Sequence, residues 1–136
     1  MTRGGQVLLL PRLPAPAAPE AVIDRGYLRR FTLGNAALER EVLQLFAAQA
    51  PHYLNRLRSA ATEADWKAAA HTIKGSAAAI GARVLARLAE LAEQADPSLA
   101  PAVRQAQREP WVRRIAEAME ATCRHIDQLL GQSGGQ

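Results

Sequence analysis

The chain's chemistry centres on His71, in the run Ala70-His71-Thr72-Ile73-Lys74-Gly75-Ser76-Ala77. Residues 66–80 suit a helix, and at about 100° per residue they divide into two faces. Trp66, Ala70, Ala77 and Ile80 gather within about 60° of Ile73 and form the face to be buried, whereas His71 lies about 160° away. Lys67, Lys74, Gly75 and Ala78 share that outward side. A solvent-facing imidazole is substantially neutral at cellular pH and therefore nucleophilic. Lys74, three residues on, brings an ammonium close enough to neutralise anionic oxygens arriving at the ring. Gly75, one turn on, occupies a position where a helix prefers Ala by about 1 kcal/mol. Its missing side chain clears a path for a flat partner surface. Thr72 and Ser76 can hydrogen-bond in the site or back to the helix backbone. A nucleophile, an adjacent cation and cleared space fit phosphoryl transfer, in which positioning and charge neutralisation do most of the work. A lone exposed histidine is ordinarily inert surface, so the neighbours carry this reading.

Other reactive side chains are less organised. His52 follows Pro51 among polar residues and reads as surface. His125, Cys123 and Asp127 could suggest metal, but the i, i+2 spacing of Cys123 and His125 sends them to different sides of a helix. Cys123 is the only cysteine, which excludes an intrachain disulfide, and it falls at an inward position as a small buried hydrophobe. Trp66 and Trp111 read as core and helix-end anchors. No Gly-rich phosphate loop is present, so the sequence gives no nucleotide site.

The elements that position His71 follow from periodicity and punctuation. Residues 1–19 form a Pro-rich tail expected to be flexible, and residues 20–132 the folded domain. A short helix over Ala21–Thr32 would place Val22, Ile23, Leu28 and Phe31 against the rest. Asn35 caps a longer helix to Ala60, whose stripe of Leu38, Val42, Leu45, Phe46, Tyr53, Leu54 and Leu57 continues in phase across a kink at Pro51. Thr62 or Asp65 caps the helix that carries His71, with Glu63 at its positive end and Gly81 as its stop. Val84, Leu85, Leu88, Leu91, Ala92 and Ala95 mark the next, closed by Asp96-Pro97. A looser connection over Ser98–Glu109 leads to a last helix from Pro110 to about Leu130. The prediction is an all-α antiparallel four-helix bundle with a short extra N-terminal helix.

Composition agrees. The chain has 136 residues, room for one domain. It is 49% hydrophobic, mostly Ala and Leu, and only 4% aromatic, which suits helices better than strands. The net charge of +4 raises nucleic-acid binding, but acidic residues interrupt the arginines and no block of like charge forms. The apolar run Val7–Leu10 is too short for a bilayer span or a secretory core, so a cytoplasmic protein is the expectation.

The segment from His71 to Ala77, followed by Ile80-Gly81-Ala82 and Leu85, closely resembles the signature of histidine-containing phosphotransfer (HPt) domains. Val22-Ile23-Asp24, Phe46 with Pro51, Leu54 and Leu57, and Asp65-Trp66 before Ala70-His71 are similar to the rest of that family's pattern. The resemblance covers residues 20–95 well and the last helix only by periodicity. It implies a bundle whose histidine, here His71, takes a phosphoryl group from a receiver-domain aspartate and passes it to another. Lys74 would stabilise charge and Gly75 would give access to the imidazole. The implied partners are receiver domains of response regulators and of a hybrid histidine kinase, met by a monomer with no kinase activity, cofactor or metal of its own. The Mg²⁺ used in transfer belongs to the receiver. Lys67, Ser76, Ala78, Ala79 and Arg83 would form the docking surface, aided by local positive charge. Ala77-Ala78-Ala79 departs from the Asn or Gln that many members carry there, which bears on fine geometry and partner choice. Two other readings remain: a helical adaptor that binds a receiver or kinase without carrying phosphate, and a basic nucleic-acid binder.

Overall fold

Five helices account for nearly all of the structure, a computed structural model that describes residues 22–95 and 101–134. They are α1 (Arg25–Phe31), α2 (Ala36–Arg58), α3 (Glu63–Ala79), α4 (Arg83–Glu93) and α5 (Pro101–Gly134). Three starts use a side-chain cap, which satisfies a backbone N–H that the first turn leaves free. Asp24 accepts from the Tyr27 N–H, Asn35 from that of Leu38 and Thr62 from that of Asp65, each at 3.0 Å. The expected tail, and the Asp96-Pro97 stop with the following Ser98, lie outside the described residues.

Helices α2 to α5 pack in a ring, each against its two neighbours, with the most extensive contact between α3 and α4. The cause is residue size. Ala69, Ala70 and Ala77 on α3 and Ala89 and Ala92 on α4 are all buried, and small side chains let two backbones approach closely. Ile73, Leu85, Ile115, Met119 and Ile126 fill the centre and are almost wholly excluded from solvent. Each such side chain contributes on the order of 1.5–3 kcal/mol. Trp66 anchors one end, its indole N–H donating to the Ala92 carbonyl at 2.8 Å. This is the all-α bundle with an extra N-terminal helix that the periodicity predicts.

Several local expectations are corrected. Helix α1 begins at Arg25, because Asp24 acts as its cap. Phe31 is 52% exposed, and Thr32 takes the inward place instead, its hydroxyl bonded to the Leu28 carbonyl at 3.0 Å. On α2 the buried stripe is Leu43, Phe46, Ala50 and Leu57, whereas Leu38 and Leu45 face solvent. The expected stripe mixed two adjacent faces. Helix α5 starts at Pro101 and runs through Pro110, where a loop was expected. Tertiary contact holds its first turns: the buried Arg108 guanidinium lies 4.8 Å above the Trp66 ring and donates to the Ala60 carbonyl at 3.4 Å. Pro51 also sits within a continuous helix. Neither proline is buried, so water can serve the carbonyl that a missing N–H leaves open.

The α3–α4 turn needs its glycine. Gly81 has φ +77°, and a Cβ there would stand 2.7 Å from the Asp24 carbonyl oxygen. Its own carbonyl accepts the Asp24 N–H at 2.8 Å, which pins the start of α1 against the turn.

Candidate functional site

His71 projects from the middle of α3, on the side opposite the fully buried Ile73. Its side chain is 67% exposed, as the helical phase requires. Helices α3 and α4 reverse direction at Gly81, so α4 runs back alongside the histidine. The last residue of α4 is Glu93, whose Oε2 lies 3.3 Å from His71 Nδ1. One turn back, Glu90 Oε2 lies 3.8 Å from Lys74 Nζ. Glu90 Oε1 also accepts from Arg87 Nη1 at 3.2 Å. His71 Nε2 is left as the ring nitrogen not engaged by α4.

Gly75 is exposed, and a Cβ placed on it would meet nothing within 4 Å. The packing of this chain therefore does not require a glycine there. Ala78, one turn further along the same side, is exposed, and Ala79 is half-buried. His71, Lys74, Gly75 and Ala78 thus form one strip of small and cationic residues along α3.

The remaining expected site residues spread around this strip. Ser76 turns towards α2, its hydroxyl 3.2 Å from the Tyr53 hydroxyl, whereas Thr72 bonds back to the Ala68 carbonyl at 3.0 Å. Lys67 lies one turn before His71 and pairs with Glu63 at 3.7 Å. Arg83 sits at the far end of α3, bonded to Asp24 at 2.9 Å. Each of these cations, Lys74 included, faces a carboxylate, so the strip is a mixed-charge surface rather than the positive one expected. Such exposed pairs are each worth at most about 1 kcal/mol, and an incoming anion can compete for the cations.

Two residues at the site were not singled out from the sequence, Glu90 and Glu93. The signal was present. A hairpin folded at Gly81 sets His71 opposite Glu93 and Lys74 opposite Glu90, and only the α4 stripe was read inward.

Electrostatics elsewhere are local. The Asp24 carboxyl is held below its ordinary range first by the Tyr27 N–H, which outweighs partial burial, and then by Arg83. Burial, and next Asp127, push the Cys123 thiol up. That half-buried thiol packs against the core. Among the described residues no three His, Cys, Asp or Glu side chains cluster as metal ligands, and no helix there is long and apolar enough to cross a membrane.

His71 thus lies on an open helical face rather than in an enclosed cavity. The family model of the Hpt domain matches residues 41–134, and the chain belongs to that family. It is a phosphotransfer domain of phosphorelay signalling, a carrier module of the kind that interacts with receiver domains. The match begins within α2, so α1 lies outside it. No curated protein matches the chain.

Proposed function

We propose that His71 is the phosphoryl carrier, accepting the group on Nε2 from a receiver-domain aspartate and passing it to a second receiver. The observation that carries this is the pairing of an exposed imidazole with Glu93 at Nδ1. A carboxylate on Nδ1 favours the tautomer that keeps the proton there, which leaves the Nε2 lone pair facing solvent. The 3.3 Å approach is long for a hydrogen bond, and such contacts commonly tighten in the reacting complex.

The transfer then balances as follows. The Nε2 lone pair attacks phosphorus in line with the aspartyl oxygen. The O–P bond breaks and its electron pair leaves on the receiver's carboxylate. Nδ1 keeps its proton, so the phosphorylated ring carries a positive charge that Glu93 offsets. Lys74, drawn from Glu90, neutralises the phosphoryl oxygens in flight. Return to a receiver aspartate reverses each step. No residue here needs to hold a metal, since Mg²⁺ belongs to the receiver's acidic pocket, and no cofactor is required. The partners would be receivers of response regulators and of a hybrid kinase, met in the cytoplasm by a monomeric carrier.

Incubation with a panel of phosphorylated receiver domains tests this reading. At least one receiver should leave an acid-labile, base-stable label on the chain, the signature of phosphohistidine. Tight binding of receivers with no label on the chain would make it an adaptor instead.

A further inference from the structure

The seam between α3 and α4 continues past His71. From the His71–Glu93 pair it passes Lys74–Glu90, and it then opens into a cavity of about 340 Å³. The floor is small and largely apolar, made of Ala78, Gly81 and Ala86. Arg83 and Arg87 stand at the rim with Lys74, and Tyr27 closes the side facing α1. Against these cations stand the carboxylate of Glu90, which pairs with Lys74 and Arg87, and that of Asp24, which pairs with Arg83. Three cations against two carboxylates leave the rim with an excess of one positive charge, and the Arg83 and Arg87 side chains are 73% and 57% exposed, open to an incoming acid. Ala78 lies two helical turns from His71, about 10 Å along α3.

Resting on the assignment of His71 as carrier, we propose that this cavity is the specificity pocket for the cognate receiver. It takes an apolar side chain with an adjacent carboxylate, displayed about 10 Å from the receiver's reactive aspartate. Two observations select that occupant. The apolar floor gives a large polar group nothing to bond, and the three rim cations favour a flanking acid by charge complementarity. The pocket is also continuous with the strip at which the aspartyl phosphate must arrive. Tyr27 belongs to α1, whose start is held against the α3–α4 turn by the Asp24–Gly81 hydrogen bond, so α1 completes the pocket with a further wall. Partner choice is set on the α4 side of His71.

The test compares two phosphoryl donors on the full chain: phosphoramidate, which needs no docking, and a phosphorylated receiver that labels the wild type. The rate with the receiver is divided by the rate with phosphoramidate, which cancels any effect on the imidazole itself. Arg87→Glu should lower that ratio at least tenfold, through KM, and Tyr27→Ala should lower it severalfold. Arg58→Glu, on α2 and away from the cavity, should leave it within twofold. Equal ratios for Arg87→Glu and wild type would overturn the pocket while leaving His71 as carrier intact. Failure of phosphoramidate and of every phosphorylated receiver in the panel to label the wild type would overturn the carrier assignment, and the pocket with it.

Discussion

At His71 the two ring nitrogens face different environments, and this asymmetry has measurable consequences. Nδ1 has Glu93 at 3.3 Å, and in the proposed transfer Nε2 receives the phosphorus. Glu93→Gln retains an acceptor but removes the charge that offsets the phosphorylated ring. Transfer from a receiver should slow about tenfold, equivalent to about 1.4 kcal/mol, with the thermal midpoint little changed. An unaltered rate would remove Glu93 from the chemistry. Gly75 gives a prediction of mixed sign. Because a Cβ there meets nothing within 4 Å, Gly75→Ala should stabilise the fold by about 0.5–1 kcal/mol in urea titration. The same methyl intrudes on the docking face, so KM for the receiver should rise. A stabilised variant with unchanged KM would show that the glycine has no part in access. The outward phase of His71, Lys74 and Gly75 on α3 was legible in the sequence. Glu93 was not, because its role depends on a neighbouring helix rather than on its own.

At the scale of elements, the α3–α4 hairpin and its clasp to α1 decide where the histidine and the pocket lie. Gly81→Ala should destabilise the chain by more than about 1 kcal/mol, combining a left-handed backbone with the 2.7 Å approach to Asp24. Denaturant unfolding measures this, and a neutral effect would contradict the clasp. The clasp is also pH-dependent. Asp24 has a lowered pKa in the folded chain, first through the Tyr27 N–H, so its stabilising effect is complete above the ordinary carboxylate range. It is lost as pH falls through the lowered value. Amides of α1 should therefore lose exchange protection in acid ahead of those in α3, and Asp24→Asn should abolish that difference. Simultaneous loss of protection in both helices of the wild type would count against it. Periodicity placed the four bundle helices, and caps at Asn35 and Thr62 placed two of their starts. It failed where tertiary contact overrides local signals. The Ser98–Glu109 stretch looked like a loop because Pro110 resembles a helix start, yet α5 begins at Pro101 and Arg108 is drawn onto Trp66 and Ala60. Leu38 and Leu45 fit a helical stripe, but the ring of neighbours buries the adjacent face.

The molecule as a whole is a helical bundle that holds His71 on an open face. A core of small and branched residues fixes α3 on its inward sides, and α4 sets Glu93 beside His71 and Glu90 beside Lys74 on the outward one. All-α class and bundle architecture were legible from composition and periodicity alone. The mixed charge of the working face was not, since ion pairs across helices leave no local pattern. The net charge of +4 is dispersed, and six of the basic side chains sit within 4 Å of a carboxylate. The chain should accordingly show no salt-sensitive affinity for DNA or RNA near physiological ionic strength, and a steep salt dependence would reopen that reading. The most direct test of the central claim is phosphoryl acceptance by His71→Gln, with its fold verified by circular dichroism. A phosphorylated receiver that labels the wild-type chain should leave this variant unlabelled. Normal labelling of the variant would contradict the account.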